Sequence, residues 1–588
     1  MSWQAWLTLA VVAVMVFTMV RDLLAPAVAV VGAVVVLLVT GVIGPQDAFG
    51  GFSNAAPLTV AALFVLAAAV ERTGTLQPLM EMILGRARGR VALGRLLFPT
   101  AGVSAFLNNT PIVAMLAPEV SAWAERRDQS PSRFLMPLSF ATILGGVVTL
   151  IGTSTNLLVS GLLEAGGREP IGMFELTRVG APVAVAGLVY LVLFTDLLLP
   201  ERRAAARQAQ EELRAFTVHM EVSTNGPLDG ATVEAGGLRH LQGVFLVQVQ
   251  RGREVIAPVT PNTQLQGGDV LTFAGKVDLV IDLQRTRGLV SAEREHIISF
   301  NSPGRTFFEA VLGESSPLIG KTLKEAEFRG RYQAAVVAIH RAGQRVPAKL
   351  GAVHLKVGDT LLILADPGFR DRWRDRPDFL LVSRVGGSPP MATRRAAIVG
   401  AITMAVVLLA GAGILPILQA SMLGALAIVA TGVLTPAEAR AAVDLDVILV
   451  IAGSFGLGAA IERSGLAAVL ASGIASAGGR FGMVGAIGAV SLGTVVLTEF
   501  ITNNAAAALM FPIGIAVALN MHGDPRAFAI AVAVSASASF LTPIGYQTNT
   551  MVYGMGGYRF ADFTRLGVGL TAIVLVAVTT TIGWFGWY

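Results

Sequence analysis

The sequence contains no cysteine, and this absence excludes disulfide bonds and metal sites with cysteine ligands. Its six histidines lack the spacing that metal ligands require. The chain also lacks a Gly-x-x-x-x-Gly-Lys-Ser/Thr phosphate-binding loop and the Gly-x-Ser-x-Gly and His-Glu-x-x-His motifs of hydrolases. These absences argue against ATP-driven transport by this chain and leave no motif that supports an enzyme.

Charge is the second scarce property. Charged residues are only 14% of the 588 residues, about half the share of a soluble domain, while hydrophobic residues are 54% and the mean hydropathy is +0.66. Apolar runs of about 20 residues, the length that crosses a bilayer, recur along the chain. We therefore predict a polytopic α-helical membrane protein, with spans near 3–20, 24–43, 55–71, 179–199, 395–413, 416–434, 444–461 and 566–587.

The span near 3–20 begins without basic residues and has no small-residue cleavage site after it. It is therefore expected to be a retained span and not a signal peptide.

Residues 200–390 differ from the rest of the chain. They hold most of the charge, all of the lysines and short strand-like runs such as Val244-Phe-Leu-Val-Gln-Val249. We predict that they form a soluble insert between two membrane halves, residues 1–200 and 391–588.

The insert repeats itself at one constant offset. Pro227-Leu-Asp-Gly230 returns as Pro317-Leu-Ile-Gly320, and Gly268-Asp-Val-Leu271 returns as Gly358-Asp-Thr-Leu361. Gly-Asp before an apolar run is typical of a turn that opens a strand. The repetition predicts two similar small α/β modules, residues 201–295 and 296–390.

The membrane halves repeat each other as well. Glu71-Arg-Thr-Gly74 returns as Glu462-Arg-Ser-Gly465, and Ile151-Gly-Thr-Ser-Thr-Asn156 returns as Ile544-Gly-Tyr-Gln-Thr-Asn549, in the same order. We therefore predict a duplicated architecture of five spans and one re-entrant hairpin per half, with the hairpins at 91–123 and 482–519.

Arginines predict the topology. The loop at 41–54 has no Lys or Arg, whereas the next one carries Arg72, Arg90 and Arg95. Positive residues collect on the cytoplasmic side of a membrane, so residues 200–390 are expected in the cytoplasm and both termini in the periplasm of a bacterial inner membrane. The second half is then inverted, and the net charge of +5 reflects topology rather than nucleic acid binding.

Two stretches place polar residues in the middle of apolar segments: Phe106-Leu-Asn-Asn-Thr-Pro111 and Phe500-Ile-Thr-Asn-Asn-Ala505. A bare amide or hydroxyl in hydrocarbon costs several kcal/mol, so each needs a partner helix, ion or solute. Carbonyl, hydroxyl and amide oxygens at such a tip suit Na⁺, and free helix N–H groups suit an anion. A matched pair favours a transporter with its site between the copies, although polar residues can also serve only to join helices.

Segments 131–164 and 526–554 are too long for one straight span and contain Gly145-Gly146 and Thr542-Pro543. Each is expected to be a helix broken near the bilayer midplane, where backbone lines a cavity; a simple kink is the alternative.

Acidic residues within or beside the spans are few. Glu71, Glu462, Asp444 and Asp446 lie at span ends and are expected to be structural or to cap helices. Glu499, beside the second polar stretch, is a candidate for tuning cation affinity. No acidic pair or histidine relay supports a proton pump.

The polar tips, broken segments and inverted repetition resemble the divalent anion/sodium symporter family of the ion transporter superfamily, over residues 1–200 and 390–588. That family carries a Ser-Asn-Thr tip in each repeat, and the tips here, Asn108-Asn109-Thr110 and Thr502-Asn503-Asn504, keep the central Asn. The tip sequences look most like those of the sulfate-transporting branch. The insert resembles paired TrkA-C domains, which are ligand-sensing modules.

Carried over by position, the resemblance implies two Na⁺ sites and an anion site. The first Na⁺ site would use Ser104, Asn108, Asn109 and Gly152. The second would use Thr498, Thr502, Asn503 and Gly545. The anion would contact Asn109, Thr110, Thr153, Asn503, Asn504 and Tyr546.

The resemblance thus implies a homodimeric, elevator-type importer that couples Na⁺ to a small divalent anion, sulfate first, without an organic cofactor. A Na⁺/dicarboxylate symporter is the close alternative. An anion exporter or exchanger and a regulated ion channel are further alternatives, although no Thr-Val-Gly-Tyr-Gly-like filter supports a K⁺ pore. The other expected partners are membrane lipid and a small-molecule regulator of the insert, with no nucleic acid.

Overall fold

The computed structural model describes most of the chain, in the following parts. They are residues 1–21, 23–74, 85, 87, 89–127, 129–201, 217–238, 244–252, 254–256, 259–275, 289–291, 306–313, 316–341, 344–346, 353–366, 368–373, 376, 378–384, 393–478 and 481–584.

The first half is helical and reproduces the predicted spans closely. Its helices are α1 (Trp3–Val20), α2 (Pro26–Val39), α3 (Pro45–Phe49), α4 (Ala55–Thr73), α5 (Gly89–Ser104), α6 (Asn109–Arg126), α7 (Ser132–Gly146), α8 (Ser154–Ala165) and α9 (Thr177–Leu198), with a 3₁₀ turn at Gly50–Ser53.

The second half, which follows the insert, is also helical. After the short helices α10 (Phe328–Tyr332) and α11 (Phe369–Trp373) of the insert, it contains α12 (Thr393–Gly411), α13 (Ile417–Ala430), α14 (Pro436–Ala441), α15 (Leu445–Arg463), α16 (Leu466–Gly478), α17 (Gly482–Thr498), α18 (Asn503–Asn520), α19 (Pro525–Ala536), α20 (Gln547–Met555) and α21 (Phe560–Trp584). Helix α16 is an element that the sequence analysis did not predict.

Six of the described helices are long and apolar enough to cross a membrane, and several shorter apolar helices accompany them. Their outward-facing apolar side chains, such as Val39 and Leu197, are 80% and 74% exposed, as expected for surfaces that contact lipid rather than water. The chain is a multi-pass membrane protein.

Four interruptions organise the helical region. Helices α5 and α6 form one hairpin, and α17 and α18 form the other; α7 is separated from α8, and α19 from α20, by non-helical residues. The first arm of each hairpin packs on the helix before the matching break, α5 on α7 and α17 on α19. Helices α7 and α19 are buried almost throughout, so both hairpins pack on buried helices, although Phe500 at the second tip and Ile544 at the second break are each 57% exposed.

Local chemistry fixes several helix ends. Asp444 caps α15 because its Oδ1 accepts from the N–H groups of Asp446 at 3.0 Å and Val447 at 3.2 Å. Gly74 and Gly465, the glycines of the matched Glu-Arg motifs, end or follow their helices with φ of +61° and +79°, a conformation that favours glycine. The capping role predicted for Asp444 is therefore what the structure contains.

The insert contains two antiparallel five-stranded sheets. The strands are β1 (Thr217–Val222), β2 (Val244–Arg251), β3 (Glu254–Ile256), β4 (Val270–Gly275), β5 (Leu289–Ser291), β6 (Thr306–Val311), β7 (Ala335–Arg341), β8 (Gln344–Arg345), β9 (Thr360–Ala365) and β10 (Leu381–Arg384). The sheet orders are β3-β2-β4-β1-β5 and β10-β6-β9-β7-β8, which are the same order when corresponding strands are compared.

The two sheets share details as well as order. The Arg251 guanidinium holds both carboxylate oxygens of Asp269, at 2.9 and 2.8 Å, and Arg341 holds Asp359 in the same way at 2.8 Å. Each aspartate belongs to the Gly-Asp turn that the sequence predicted before a strand. The duplicated strands and turns are thus observed, although parts of both predicted modules, including 202–216, 276–288, 292–305 and 385–392, lie outside the described residues.

The second sheet contacts the membrane helices directly. Gly358 lies against the Tyr553 ring, with a Cβ built on this glycine 3.5 Å from Cδ1, and a Cβ on Gly554 would overlap the hydroxyl of Thr360. Val311 at the end of β6 belongs to the same buried apolar cluster as the membrane helices. The equivalent turn of the first sheet, at Gly268, has no heavy atom within 4 Å of a built Cβ, so the two sheets differ in this contact.

Candidate functional site

Each hairpin turns at a short non-helical tip, residues 105–108 in the first and 499–502 in the second. Asn109 and Asn503 are therefore the first residues of α6 and α18, where backbone N–H groups lack a partner within the helix. Thr502 caps α18 because its hydroxyl accepts from the N–H of Ala505 at 3.4 Å. Both tips thus present the positive end of a helix dipole inside the protein.

The first tip is tied to its surroundings through Asn109, which is fully buried. Ser104 Oγ donates to Oδ1 of Asn109 at 2.7 Å and lies 2.8 Å from the carbonyl oxygen of Thr142 in α7. Nδ2 of Asn109 donates to the hydroxyl of Tyr546 at 2.7 Å. The tip of the first half therefore contacts the broken helix of the second half.

Tyr546 is the point at which both tips meet. Its hydroxyl lies 3.4 Å from Thr153 Oγ1 and accepts from Nδ2 of Asn503 at 3.5 Å, in addition to the bond from Asn109. Thr153 and Tyr546 occupy equivalent positions, each the extended residue immediately before the helix that follows a break. Three side chains, from the two tips and the first break, thus converge on one hydroxyl of the second break.

Further contacts of the two tips join the halves. At the first tip, Thr110 Oγ1 donates to Oε1 of Gln547 at 3.2 Å. At the second tip, the hydroxyls of Ser154 and Thr155 donate to Oδ1 of Asn504, each at 3.2 Å. Each tip is thus bound to the first turn of the helix that follows the break in the opposite half.

A pair of matched asparagines holds the breaks in shape. Nδ2 of Asn156 donates to the carbonyl oxygens of Gly146 at 3.0 Å and Thr149 at 2.8 Å. Nδ2 of Asn549 does the same to Ser539 at 2.9 Å and Thr542 at 3.3 Å. These bonds satisfy carbonyl groups that the end of a helix leaves free, and they bring the two sides of each break together.

Glycine at the two breaks lets oxygens approach the backbone closely. A Cβ on Gly152 would lie 2.5 Å from the carbonyl oxygen of Gly146. A Cβ on Gly545 would overlap Ser539 Oγ and would lie 3.1 Å from both the Thr498 carbonyl oxygen and Thr542 Oγ1. Oxygens of this kind are ligands for hard cations such as Na⁺, and the second break brings three of them together.

Glu499 adds a carboxylate beside the second tip. It is 3% exposed, and its Oε1 accepts from the N–H groups of Phe540 at 2.8 Å and Leu541 at 2.9 Å. Its Oε2 is buried and has no hydrogen-bond partner among the described residues. One carboxylate oxygen thus accepts from two backbone N–H groups of the second break, and the other has no partner among the described residues.

A cavity of about 490 Å³ is lined by Phe174, Glu175, Arg178 and Arg526, and the Phe174 ring lies 6.4 Å from that of Phe106 at the first tip. Arg526 pairs with Glu175 and also donates to the carbonyl oxygens of Glu169 and Pro170, at 2.9 Å each. The cavity lining contains none of the predicted site residues. Arg526 of α19 and Glu175, in the segment before α9, thus join the two halves.

The predicted site residues all lie at the tips, at the adjoining helix ends or at the breaks. Asn109, Thr153, Asn503 and Tyr546 come together directly, and Asn504 and Thr110 bind the opposite break, while Ser104 and Thr498 lie at the ends of α5 and α17. Asn108, Thr502 and Gly545 are half-buried, and Gly152 is buried. Ser154, Thr155 and Gln547, two or three positions after the matched glycines, were not predicted as site residues. The role of Asn156 and Asn549 in holding the breaks was not predicted either.

A protein-family model described as citrate transporter matches residues 12–533 and 485–587. The chain belongs to the citrate transporter family. Because this is a family of transporters, it confirms the prediction that the chain is not an enzyme.

Relatives of this family member cover nearly its whole length. A Chlamydomonas reinhardtii protein named as a sulfur deprivation response regulator is 36% identical over 96% of this chain and 99% of its own. An uncharacterized transporter of Synechocystis is 36% identical over 98% of this chain and 96% of its own. A Chlamydomonas protein named as a probable sodium/sulfate cotransporter is 26% identical over 92% and 83%. These relatives support the predicted membership of a family of anion transporters.

Proposed function

We propose that this member of the citrate transporter family couples Na⁺ to the uptake of a small divalent anion, with sulfate as the first candidate. The observation that carries the proposal is the meeting of both tips at the Tyr546 hydroxyl, 2.7 Å from Asn109 and 3.5 Å from Asn503. A site shared by two breaks in opposite halves is the arrangement that secondary transporters use. The names of relatives as sodium/sulfate cotransporters, at 25–26% identity, favour Na⁺ and sulfate.

The anion is expected to bind neutral donors. The proposed contacts are Asn109, Thr110, Thr153, Asn503, Asn504 and Tyr546, with the free N–H groups at the starts of α6 and α18. Hydroxyls, amides and helix N-termini bind oxyanions without a counter-charge of their own. Bound cations would then offset the charge of the anion, which gives a physical reason for coupling.

The cations are assigned to the oxygens at the two breaks. The first proposed Na⁺ site is Ser104, Asn108, Asn109 and Gly152, and the second is Thr498, Thr502, Asn503 and Gly545. Matched hydrogen bonds support treating the sites as counterparts, because Ser104 lies 2.8 Å from the Thr142 carbonyl and Thr498 donates to the Ala536 carbonyl at 2.6 Å.

We infer that the halves are an inverted repeat. Arg72 pairs with Glu438, and Arg463 pairs with Asp47 at 2.8 Å. The first pair adjoins the C-terminal end of α4, and Asp47 precedes its N-terminal end. Each residue of one pair has its counterpart in the other, and the two pairs lie at opposite ends of α4. That relation is expected of two copies with opposite orientation in the membrane.

The remaining assignments follow from this inference and from the family resemblance. The proposed domains are 1–200 and 391–588 in the membrane, with TrkA-C-like modules at 201–295 and 296–390 in the cytoplasm and both termini in the periplasm of a bacterial inner membrane. An elevator movement, a homodimer and a small-molecule regulator of the modules complete the proposal.

A dicarboxylate or tricarboxylate is the second candidate substrate, favoured by the description of the matching family as citrate transporter. Export, exchange and channel activity are the further alternatives. Each would move the anion without a requirement for an inward Na⁺ gradient.

The test is uptake into liposomes that contain the purified protein. Labelled sulfate, succinate and citrate are compared with an inward Na⁺ gradient and with an equal K⁺ gradient, and sulfate uptake that requires Na⁺ is expected. Asn109→Ala and Asn503→Ala should each abolish it, whereas Asn520→Ala, an exposed asparagine at the other end of α18, should not. Uptake of the same size in K⁺ would contradict Na⁺ coupling, and uptake of carboxylates alone would replace sulfate by the second candidate.

A further inference from the structure

We propose that the second tip binds its cation through two oxygens that have no equivalent at the first tip, Oε2 of Glu499 and Oγ of Ser539. The two cation sites are therefore unequal, and the second holds Na⁺ when no anion is present. The inference rests on the proposed function, because it names further ligands for one of its Na⁺ sites.

Glu499 is a buried carboxylate with an unfilled oxygen. Its Oε1 is occupied by the N–H groups of Phe540 and Leu541, which fixes the side chain against the second break. Its Oε2 has no partner, and no Lys or Arg of the described residues forms an ion pair with it. An uncompensated buried charge is strongly unfavourable, and a bound cation compensates it.

Ser539 brings a second unfilled oxygen to the same place. Its hydroxyl is buried without a partner among the described residues, and it directly precedes Phe540, whose N–H binds Glu499. The same hydroxyl lies against Gly545, where the Thr498 carbonyl and Thr542 Oγ1 each lie 3.1 Å from the position of a Cβ. Hydroxyl and carbonyl oxygens thus meet at Gly545, and the Glu499 carboxylate adjoins them through its bonds to Phe540 and Leu541. Oxygens of these kinds are ligands for a hard cation.

The first tip lacks both groups. Matched hydrogen bonds identify the counterparts: Asn156 binds the carbonyl of Gly146 where Asn549 binds that of Ser539. Likewise the Thr149 hydroxyl binds the carbonyl of Ala105 where that of Thr542 binds the carbonyl of Glu499. Gly146 and Ala105 have no side-chain oxygen. The first site therefore has no formal negative charge of its own.

This difference predicts an order of binding. At the first site, the charge that favours a cation comes from the transported anion, so cation and anion bind together there. At the second site Glu499 supplies the charge permanently. Na⁺ is then expected to occupy the second site first and to organise the tip before the anion arrives.

The test measures Na⁺ binding to the purified full-length protein without any transported anion, by equilibrium binding of ²²Na⁺ and by the rise in Tm in NaCl relative to choline chloride. Glu499→Gln is the main variant, because the amide oxygen can still accept from Phe540 and Leu541 while the charge is removed. Ser539→Gly introduces the residue type found at Gly146. Ser491→Ala is the control, since Ser491 is a buried serine without a partner on the same helix, α17, away from the tip.

We expect the Na⁺ dissociation constant to rise about tenfold or more in Glu499→Gln and severalfold in Ser539→Gly, with Ser491→Ala unchanged. Wild-type affinity in Glu499→Gln would overturn the inference while leaving Na⁺ coupling intact. If Glu499→Gln does not fold, wild-type affinity in Ser539→Gly overturns it equally. Absence of specific Na⁺ binding by the unchanged protein would overturn the inference, and Na⁺-independent sulfate uptake in liposomes would show separately that the proposed function has failed.

Discussion

Nδ2 of Asn109 donates to the hydroxyl of Tyr546 at 2.7 Å, although the two residues are 437 positions apart. The counterpart of Tyr546 in the first half is Thr153, whose hydroxyl lies only 3.4 Å away. One half thus supplies a long aromatic side chain and the other a short one, and the two equivalent positions share a single point of contact. The contacts at matched positions of the two halves are therefore not symmetric.

Replacing Tyr546 by Phe removes the hydroxyl and leaves the buried amide of Asn109 without its acceptor. Loss of one hydrogen bond costs about 0.5–1.5 kcal/mol. Because the hydroxyl is also a proposed contact of the anion, we expect KM for the anion to rise up to about tenfold while the protein still folds. Initial rates of uptake into liposomes measure it. Tyr190→Phe is the control, because Tyr190 is also buried and its hydroxyl donates to the Leu566 carbonyl of α21 at 3.1 Å. An unchanged KM in Tyr546→Phe would remove the hydroxyl from the site.

Adding a methyl group at Gly152 is expected to eliminate Na⁺-dependent uptake. The new Cβ would lie 2.5 Å from the carbonyl oxygen of Gly146, a separation that forces the break to open and occupies the space assigned to the cation. Gly102→Ala is the matched control, since a Cβ there meets no atom within 4 Å. Normal Na⁺ dependence in Gly152→Ala would place the first cation elsewhere.

The ion pair between Arg72 and Glu438 predicts a small, pH-dependent contribution to stability. The hydrogen bond from Arg72 lowers the pKa of Glu438 to about 2. Because the pKa of the folded state is depressed, the contribution is present above the ordinary pKa of about 4.5 and is lost as the pH falls from there towards 2.

Both side chains of that pair are more than a third exposed, so solvent screening limits the coupling energy to below about 1 kcal/mol. A double-mutant cycle with Arg72→Ala and Glu438→Gln, measured by thermal unfolding in detergent, should give a coupling that shrinks between about pH 5 and pH 3. A coupling that is constant over this range would contradict the assignment to the Glu438 carboxylate.

The contact between Gly554 and Thr360 can be tested by a rescue experiment. Gly554→Ala introduces a Cβ that overlaps the Thr360 hydroxyl, so the second sheet is pushed away from α20. We expect faster amide hydrogen exchange in β9 and slower uptake. Thr360→Ala in the same chain removes the overlapping atom and should restore both. If Thr360→Ala gives no rescue, the contact is not what Gly554→Ala disturbs.

The sequence was sufficient to predict the hairpins and the breaks because polar groups in hydrocarbon need partners. Asn109, Asn503 and the Gly152 and Gly545 motifs interrupt apolar runs, and each interruption is a helix end in the structure. The duplicated sheets of the insert were likewise visible in the repeated Gly-Asp turns. These features are local and leave a mark within ten or so residues.

Contacts between distant segments left no such mark. Gln547 and Ser154 lie two positions after the matched glycines, but their partners, Thr110 and Asn504, come from the opposite half. The sequence around Glu499 does not reveal that Oε2 lacks a partner among the described residues. A carboxylate with both oxygens bound to backbone N–H groups would have the same local sequence. Helix α16 was missed because its 13 residues are shorter than a membrane span and were assigned to no element.

The packing of Gly358 on Tyr553 and of Thr360 on Gly554 has a mechanical consequence. Helix α20 has only nine residues, and it begins at Gln547, immediately after Tyr546. The second sheet therefore contacts the C-terminal part of the same short helix whose N-terminal end adjoins Tyr546. A compound that displaces this sheet would weaken its contact with α20 from the aqueous side, without entering the bilayer.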